Sequence, residues 1–291
     1  MACLLHRCLP CLGRLTCSRP RDTLYRLHCT SGRITMRVLC LHGKGTSGAI
    51  FKSQTASFRA HLAPLNIDFD FLDGPIPSSP APGIDLFYSP PYYSWWEGES
   101  AEAIKTARQL LKTHLILSGP YDAVMMFSQG CTLGSSALLL NAIEEPRSPP
   151  LFKAAIFICG GPPLAIAEML GYQMSPEMRE RDNWSRVALA QQADSSAILS
   201  QGAARWRGGW WDISDEEQLR DEMEFPWRIE IPTVHIYGDK DPRYLAGVQL
   251  SALFDTDNMK TYAHDGGHEI PRKDVVSRKI AELVRWALES V

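Results

Sequence analysis

The chain lacks any run of about 18 consecutive apolar residues, the length a helix needs to cross a bilayer, so no membrane span is expected. It also lacks an excess of positive charge. With 30 Lys and Arg against 33 Asp and Glu, the formal charge is -3, which removes the electrostatic basis for nucleic-acid binding. Cysteine is scarce in most of the chain. Five of the eight (Cys3, Cys8, Cys11, Cys17 and Cys29) fall in the first 35 residues, leaving three for the remainder. Three thiols form no disulfide framework and point to a reducing compartment, hence a cytoplasmic location. Cys8 and Cys11 have metal-type spacing, but no second well-spaced pair follows. No zinc site is expected from them.

Acidic residues are nearly missing from the first 35 positions. Six arginines stand there against one acid, Asp22, a local charge of +5 that leaves -8 for the rest. Arg7, Pro10 and Arg14 interrupt the apolar residues, which argues against a secretory signal. An arginine-rich, acid-poor stretch suits a mitochondrial transit peptide. A translated upstream stretch, with Met36 as the true start, explains the same composition. Residues 1–35 are therefore set apart as an extension, and residues 36–291 as one domain large enough to bury a sizeable core.

From Met36 onward, strand-like and helix-like segments alternate. Short apolar runs at 36–41, 67–72, 122–127, 153–161, 231–238 and 259–264 read as strands with turn residues after them. Amphipathic or small-residue stretches at 50–62, 100–115 and 129–143 read as helices. So does the last segment, where Val276, Ile280, Leu283, Val284, Ala287 and Leu288 recur at i, i+4, i+7 and i+8. This rhythm predicts an α/β fold, with a mostly parallel central sheet covered by helices on both faces. Two segments break it. Residues 75–98 are rich in proline and aromatics, and residues 163–230 are far too long for a simple connection between two strands. Both are expected to run over the ends of the strands, where open α/β sheets bind ligands. The second, which contains Trp206, Trp210 and Trp211, is expected to form a lid.

"VMMFSQGC" (124–131) carries the chemistry. Ser128 has a strand before it, a helix after it and Gly130 two residues on, the setting of a nucleophile held on a sharp strand-to-helix turn. The usual G-x-S-x-G pattern has glycine where this chain has Met126, a side chain that must point away or crowd the turn. A serine nucleophile needs a base, and the base an orienting acid. In this fold class the chain order is serine, acid, histidine. "GDKDP" offers Asp239 and Asp241, and "HDGGHEIP" offers His264 and His268, each pair at the end of a late strand. Asp241 is preferred because it lies far enough past Gly238 to turn back towards a histidine. His268 is preferred because two glycines before it can carry a loop over the site. For the oxyanion hole, the backbone N–H groups of Gln129 and Lys44 are expected to donate. His42 reads as structural, and Cys131 as a packing residue.

Together "RVLCLHGKGTSGAIF", "FDFLDGP", "YDAVMMFSQGC", "VHIYGDKDP" and "GGHEIPR" resemble the fungal-type serine hydrolases, the FSH family, in order and from about residue 36 to the C-terminus. The resemblance implies an α/β-hydrolase fold, with Ser128, Asp241 and His268 as the triad. "APGIDLFYSPPYYSWWEG" is similar to the branch containing hydrolases of the lovastatin and citrinin polyketide pathways. That similarity implies cleavage of an acyl ester or thioester without a metal or other cofactor. The implied partners are a small acyl substrate and, for a thioester, an acyl carrier domain of a polyketide synthase. Tyr92, Tyr93, Trp95 and Trp96 are expected to line an apolar acyl channel. The alternatives are a general carboxylesterase acting on small esters and a catalytically weak relative that binds an acyl ligand or a protein, which Met126 would favour.

Overall fold

The computed structural model describes residues 35–208, 216–223 and 225–291. The described residues form a six-stranded sheet in the order β2-β1-β5-β6-β7-β8. Its strands are β1 (Arg37–Leu41), β2 (Asp68–Leu72), β5 (Ala123–Phe127), β6 (Ala154–Ile158), β7 (Thr233–Gly238) and β8 (Met259–His264). Every adjacent pair runs parallel. The helices are α1 (Gly48–Gln54), α2 (Ala56–Ala60), α3 (Ala101–Ser118), α4 (Gln129–Glu144), α5 (Leu164–Met169), α6 (Pro176–Gln192), α7 (Ser195–Gln201), α8 (Glu216–Asp221), α9 (Tyr244–Ser251) and α10 (Asp274–Glu289).

The central strands are apolar on both faces because both faces are covered. Every residue of β5 (AVMMF) and β6 (AAIFI) is buried, as parallel strands between helix layers require. Alternation sorts them. Leu39, Leu41, Val124 and Met126 join the core under α3, α4 and α5. Val38, Cys40, Met125 and Phe127 join the opposite core with Phe51, Phe58 and the buried stripe of α10. Removing such a side chain from water stabilises the fold by about 1.5–3 kcal/mol each. Serine side chains cap the helices that enter from loops: Ser47 accepts from Ile50 N–H at 3.2 Å, and Ser100 from Ala103 N–H at 3.2 Å.

The two irregular segments contain more order than their composition suggests. Within 75–98, β3 (Ile76–Pro77) pairs antiparallel with β4 (Tyr93–Ser94), making a proline-rich strap. Two-residue strands leave no periodicity to read. Within 163–230 the chain forms α5 to α8. Leu164, Ile166, Met178 and Met223 from this stretch are part of the main core. The insert is therefore partly body and partly cover. The stretch at 50–62 breaks at Thr55, whose hydroxyl donates to Phe51 O at 2.8 Å, and continues as α2.

The chain builds outward from β1 to β2, returns across β1 to β5, and then builds outward the other way. The reversal falls between β1 and β5, and the crevice over their carboxyl ends is where such sheets bind ligands. The loops that leave β1, β5, β6, β7 and β8 all emerge on that edge.

Candidate active site

Ser128 ends β5 and opens α4 with φ 51° and ψ -113°. A non-glycine residue adopts positive φ only where the surrounding structure imposes it. Here the Ser128 N–H donates to Ile158 O on β6 at 3.1 Å, and its carbonyl accepts from Cys131 N–H at 2.9 Å. The turn lifts the hydroxyl clear of the sheet at the positive end of a 16-residue helix.

His268, in the loop after β8, places Nε2 3.0 Å from Ser128 Oγ and Nδ1 2.7 Å from Asp241 Oδ2. Asp241 is 1% exposed, and its Oδ1 accepts from Arg243 N–H at 2.7 Å. One carboxylate oxygen is thus held by backbone, leaving the other for the imidazole. A carboxylate beside Nδ1 keeps the proton there and leaves Nε2 to accept from the serine hydroxyl. The other candidates lie apart. Asp239 is exposed in the turn. His264 is buried with its Nδ1 accepting from Gly266 N–H at 3.1 Å, and burial lowers its pKa.

Met126 turns away from Ser128. It is fully buried beneath α4, and a Cβ built on Gly134 would fall 2.0 Å from its sulfur. The glycine absent before the serine is thus matched by one in the following helix, which leaves room for the methionine. Sequence reasoning passed over Gly134 because its spacing from Ser128 belongs to no motif.

Gln129 and Lys44 both border the cavity over Ser128. The Gln129 N–H is the first of α4 and has no carbonyl four residues back within the helix. The Gln129 side chain has a separate function that the sequence did not signal. Its Oε1 accepts from Trp95 N–H at 3.1 Å, and its Nε2 donates to Trp96 O at 3.0 Å. On the other side, Gly45 N–H donates to Tyr93 O at 2.9 Å and Tyr93 N–H to Thr46 O at 2.6 Å. The strap is therefore laced to the turn after β1 and to the head of α4. His42 completes this knot. Its Nε2 accepts from Gly74 N–H at 2.9 Å, its Nδ1 lies 2.7 Å from Gly43 O, and its carbonyl accepts from the Trp95 indole at 2.8 Å. Both ring nitrogens are engaged, and burial lowers the His42 pKa.

Of the four aromatic residues expected to line a channel, Trp96 borders the cavity. Trp95 lies buried against the His42 ring at 5.1 Å. Tyr92 donates its hydroxyl to Tyr88 O at 2.5 Å, and Tyr93 is engaged through its backbone. Trp206 also borders the cavity and packs on the His268 loop: a Cβ on Gly267 would fall 2.1 Å from its ring. Its indole N–H donates to Glu269 Oε2 at 3.1 Å. Trp210 and Trp211 lie outside the described residues, as do residues 1–34 of the extension.

The cavity has a volume of about 1690 Å³, beyond the roughly 300–1,000 Å³ of drug-sized sites. Strap and lid meet over it. A Cβ on Gly83 would fall 2.0 Å from Ile198 Cδ1, and Arg186 of α6 reaches Glu99 at 3.2 and 3.3 Å. Arg186 also pairs with Asp182 at 2.8 Å, and Asp182 with Arg243 at 2.6 Å. Burial alone would raise the Asp182 carboxyl, but Arg243 and Arg186 hold it below its ordinary value.

Cys159 brings a thiol within 4.8 Å of the Asp241 and His268 ligating atoms. Burial, and next the Asp241 charge, push that thiol well up and keep it protonated. Asp241 and His268 already bond each other, so the three suit a proton-transfer site better than a cation.

Residues 32–280 match the model of a family described as serine hydrolase (FSH1). Esterase FPY3 of Fusarium mangiferae is 30% identical over 260 residues, covering 87% of this chain and 99% of that protein. Esterase alnB of Emericella nidulans is 29% identical over 277 residues, covering 87% and 96%. Among solved structures, the Bacillus cereus carboxylesterase aligns with a TM-score of 0.45 at 11% identity, covering 87% of this chain and 89% of that one.

Proposed function

Because this chain belongs to the FSH1 serine hydrolase family, with an α/β-hydrolase fold and ester-hydrolysing activity, we propose that it cleaves acyl esters or thioesters through Ser128, His268 and Asp241. The observation behind this reading is the unbroken hydrogen-bond chain from Asp241 through His268 to a serine at positive φ. Ser128 Oγ attacks the acyl carbon while His268 Nε2 takes its proton. The N–H groups of Gln129 and Lys44 stabilise the negative oxygen of the tetrahedral intermediate. As the intermediate collapses, His268 returns the proton to the leaving oxygen or sulfur. Water, activated by the same imidazole, then attacks the acyl-serine and the acid departs. Asp241 holds the imidazole in the required tautomer and stabilises its charged form.

The cavity supports a bulky acyl group, of the size of a polyketide chain, released from an alcohol or from the thiol of an acyl carrier domain. Labelling with a fluorophosphonate probe tests the mechanism: the native protein is expected to label and Ser128→Ala is not. A series of thioesters from acetyl to long or polyketide-like chains tests the substrate, with kcat/KM expected to rise along it. The second reading, a general carboxylesterase, is favoured by the name "esterase" carried by both relatives. A flat chain-length profile or a preference for acetyl esters would decide for it.

A further inference from the structure

The cavity over Ser128 is lined by apolar and polar residues. Leu189, Ala190, Ala193 and Ile198 give the lid an apolar stretch, although Arg186 and Arg205 of the lid also border the cavity. α1, the strap and the segment after His268 contribute both kinds: Pro80, Ile84 and Phe87 are apolar, and Ser53, Tyr88 and Arg272 are polar. An acyl chain matches the apolar residues. The polar group needs a different occupant.

Arg272 identifies it. Four arginines border the cavity. Arg186 pairs with Glu99 and Asp182, Arg205 with Glu269, and Arg243 with Asp182. Arg272 is exposed and donates to the Tyr88 hydroxyl at 2.5 Å, and among the described residues it has no carboxylate in ion-pair range. The acids nearest it in sequence are taken: Glu269 pairs with Arg205, Asp265 with Lys273, and Asp274 with Arg278 and His61. A guanidinium without a counter-ion on the wall of a cavity is a recognition surface for an anion.

The reaction direction decides which half of the substrate arrives there. His268 Nε2 must hand its proton to the leaving atom, so the leaving group departs past the imidazole. Ile270 and Arg272 continue the His268 segment along the cavity wall.

We propose that Arg272 and Tyr88 form a leaving-group subsite for an anionic alcohol or thiol, bearing a phosphate or a carboxylate, while the acyl chain occupies the apolar stretch of the lid. This rests on the serine-hydrolase mechanism above. Three hexanoyl thioesters that differ only in the thiol test it: neutral N-acetylcysteamine, 4′-phosphopantetheine and 3-mercaptopropionate. At low salt the native protein is expected to show a KM roughly fivefold lower for an anionic thioester than for the neutral one. Arg272→Ala should remove that ratio, Arg272→Lys should keep part of it, and Arg272→Glu should invert it. A preference for the phosphate alone assigns a phosphate site, and a preference for both anions assigns a general anion site. Titrating the free thiols into Ser128→Ala protein reads the subsite without turnover, so it stands or falls separately from the mechanism. No preference among the three thiols in the native protein, in either KM or binding, overturns the proposal. So does an equal loss for all three in Arg272→Ala.

Discussion

Ser128 is held in a strained conformation by its neighbours, so replacing its hydroxyl should leave the turn standing. Ser128→Ala is expected to lower turnover by at least about 10³-fold with an unchanged melting temperature. Within the paired candidates, Asp241→Asn should cost on the order of 10³–10⁴-fold in kcat, and Asp239→Asn little, since Asp239 faces solvent. His268→Ala should likewise far exceed His264→Ala, and equal losses within either pair would mean that the hydrogen-bond chain is not the catalytic one. That Ser128, Asp241 and His268 meet was legible because chain order and strand ends are sequence properties. The accommodation of Met126 was not, because it depends on a glycine facing it from another element. His235 was equally silent. It stacks on Phe157 at 4.8 Å and lies tilted against Phe254 at 5.2 Å, and neither ring nitrogen has a partner among the described residues. Burial, and next Arg220, push its pKa down to about 3. The unfolded chain takes up that proton near pH 6.5, the folded chain only near the lowered value, so stability falls as pH drops below about 6.5. Between pH 6.5 and 5 the loss is ~2 kcal/mol. Urea unfolding at pH 7.5 and 5.0 should show a smaller acid-side loss for His235→Leu than for the native protein. Equal losses would show that the imidazole is not kept neutral.

At the scale of elements, the 163–230 insert is tied to Asp241. Glu99 just past the strap, Arg186 and Asp182 of α6, and Arg243 form one chain of charges, and the Arg243 N–H holds Asp241. Asp182 is 16% exposed on its side chain, so breaking the chain there leaves two arginines facing each other in a half-dry site. Asp182→Asn is expected to cost about 1–3 kcal/mol of stability and to lower kcat/KM through the Arg243 turn. Because the Asp182 pKa is lowered on folding, its contribution is complete above the ordinary carboxylate range and fades as pH falls through the lowered value. The α4–β5 packing gives a second test. Gly134→Ala would drive a methyl into Met126 and should cost about 1–3 kcal/mol. Met126→Ala opens a cavity and should cost about 2–5 kcal/mol. The double variant should cost less than the sum of the two, since each change relieves the other. The long strands and helices were readable from their periodicity. The strap and lid were readable only as interruptions, because their order comes from backbone bridges to Thr46, from Gln129 and from ion pairs to distant residues.

For the whole molecule, a sheet whose strand order reverses between β1 and β5 gathers Ser128, Asp241 and His268 from three separate loops onto one edge. That edge can function only if the sheet beneath is complete. Its first strand begins at Arg37, and Met36 packs against the core on the α10 face. The family match begins at residue 32. Before that lies a stretch with six arginines, one acid and no helical or strand-like repeat of apolar residues. Without such a repeat, the apolar residues of the segment share no face that could pack against the sheet. We therefore expect a protein beginning at Met36 to unfold at the same temperature as the full chain and to hydrolyse a given thioester with the same kcat/KM. A drop in melting temperature on truncation would place the extension within the folded domain. The extension alone, fused to a fluorescent reporter, tests its other reading. Mitochondrial import would identify it as a targeting segment, and a diffuse cytosolic signal would remove that reading.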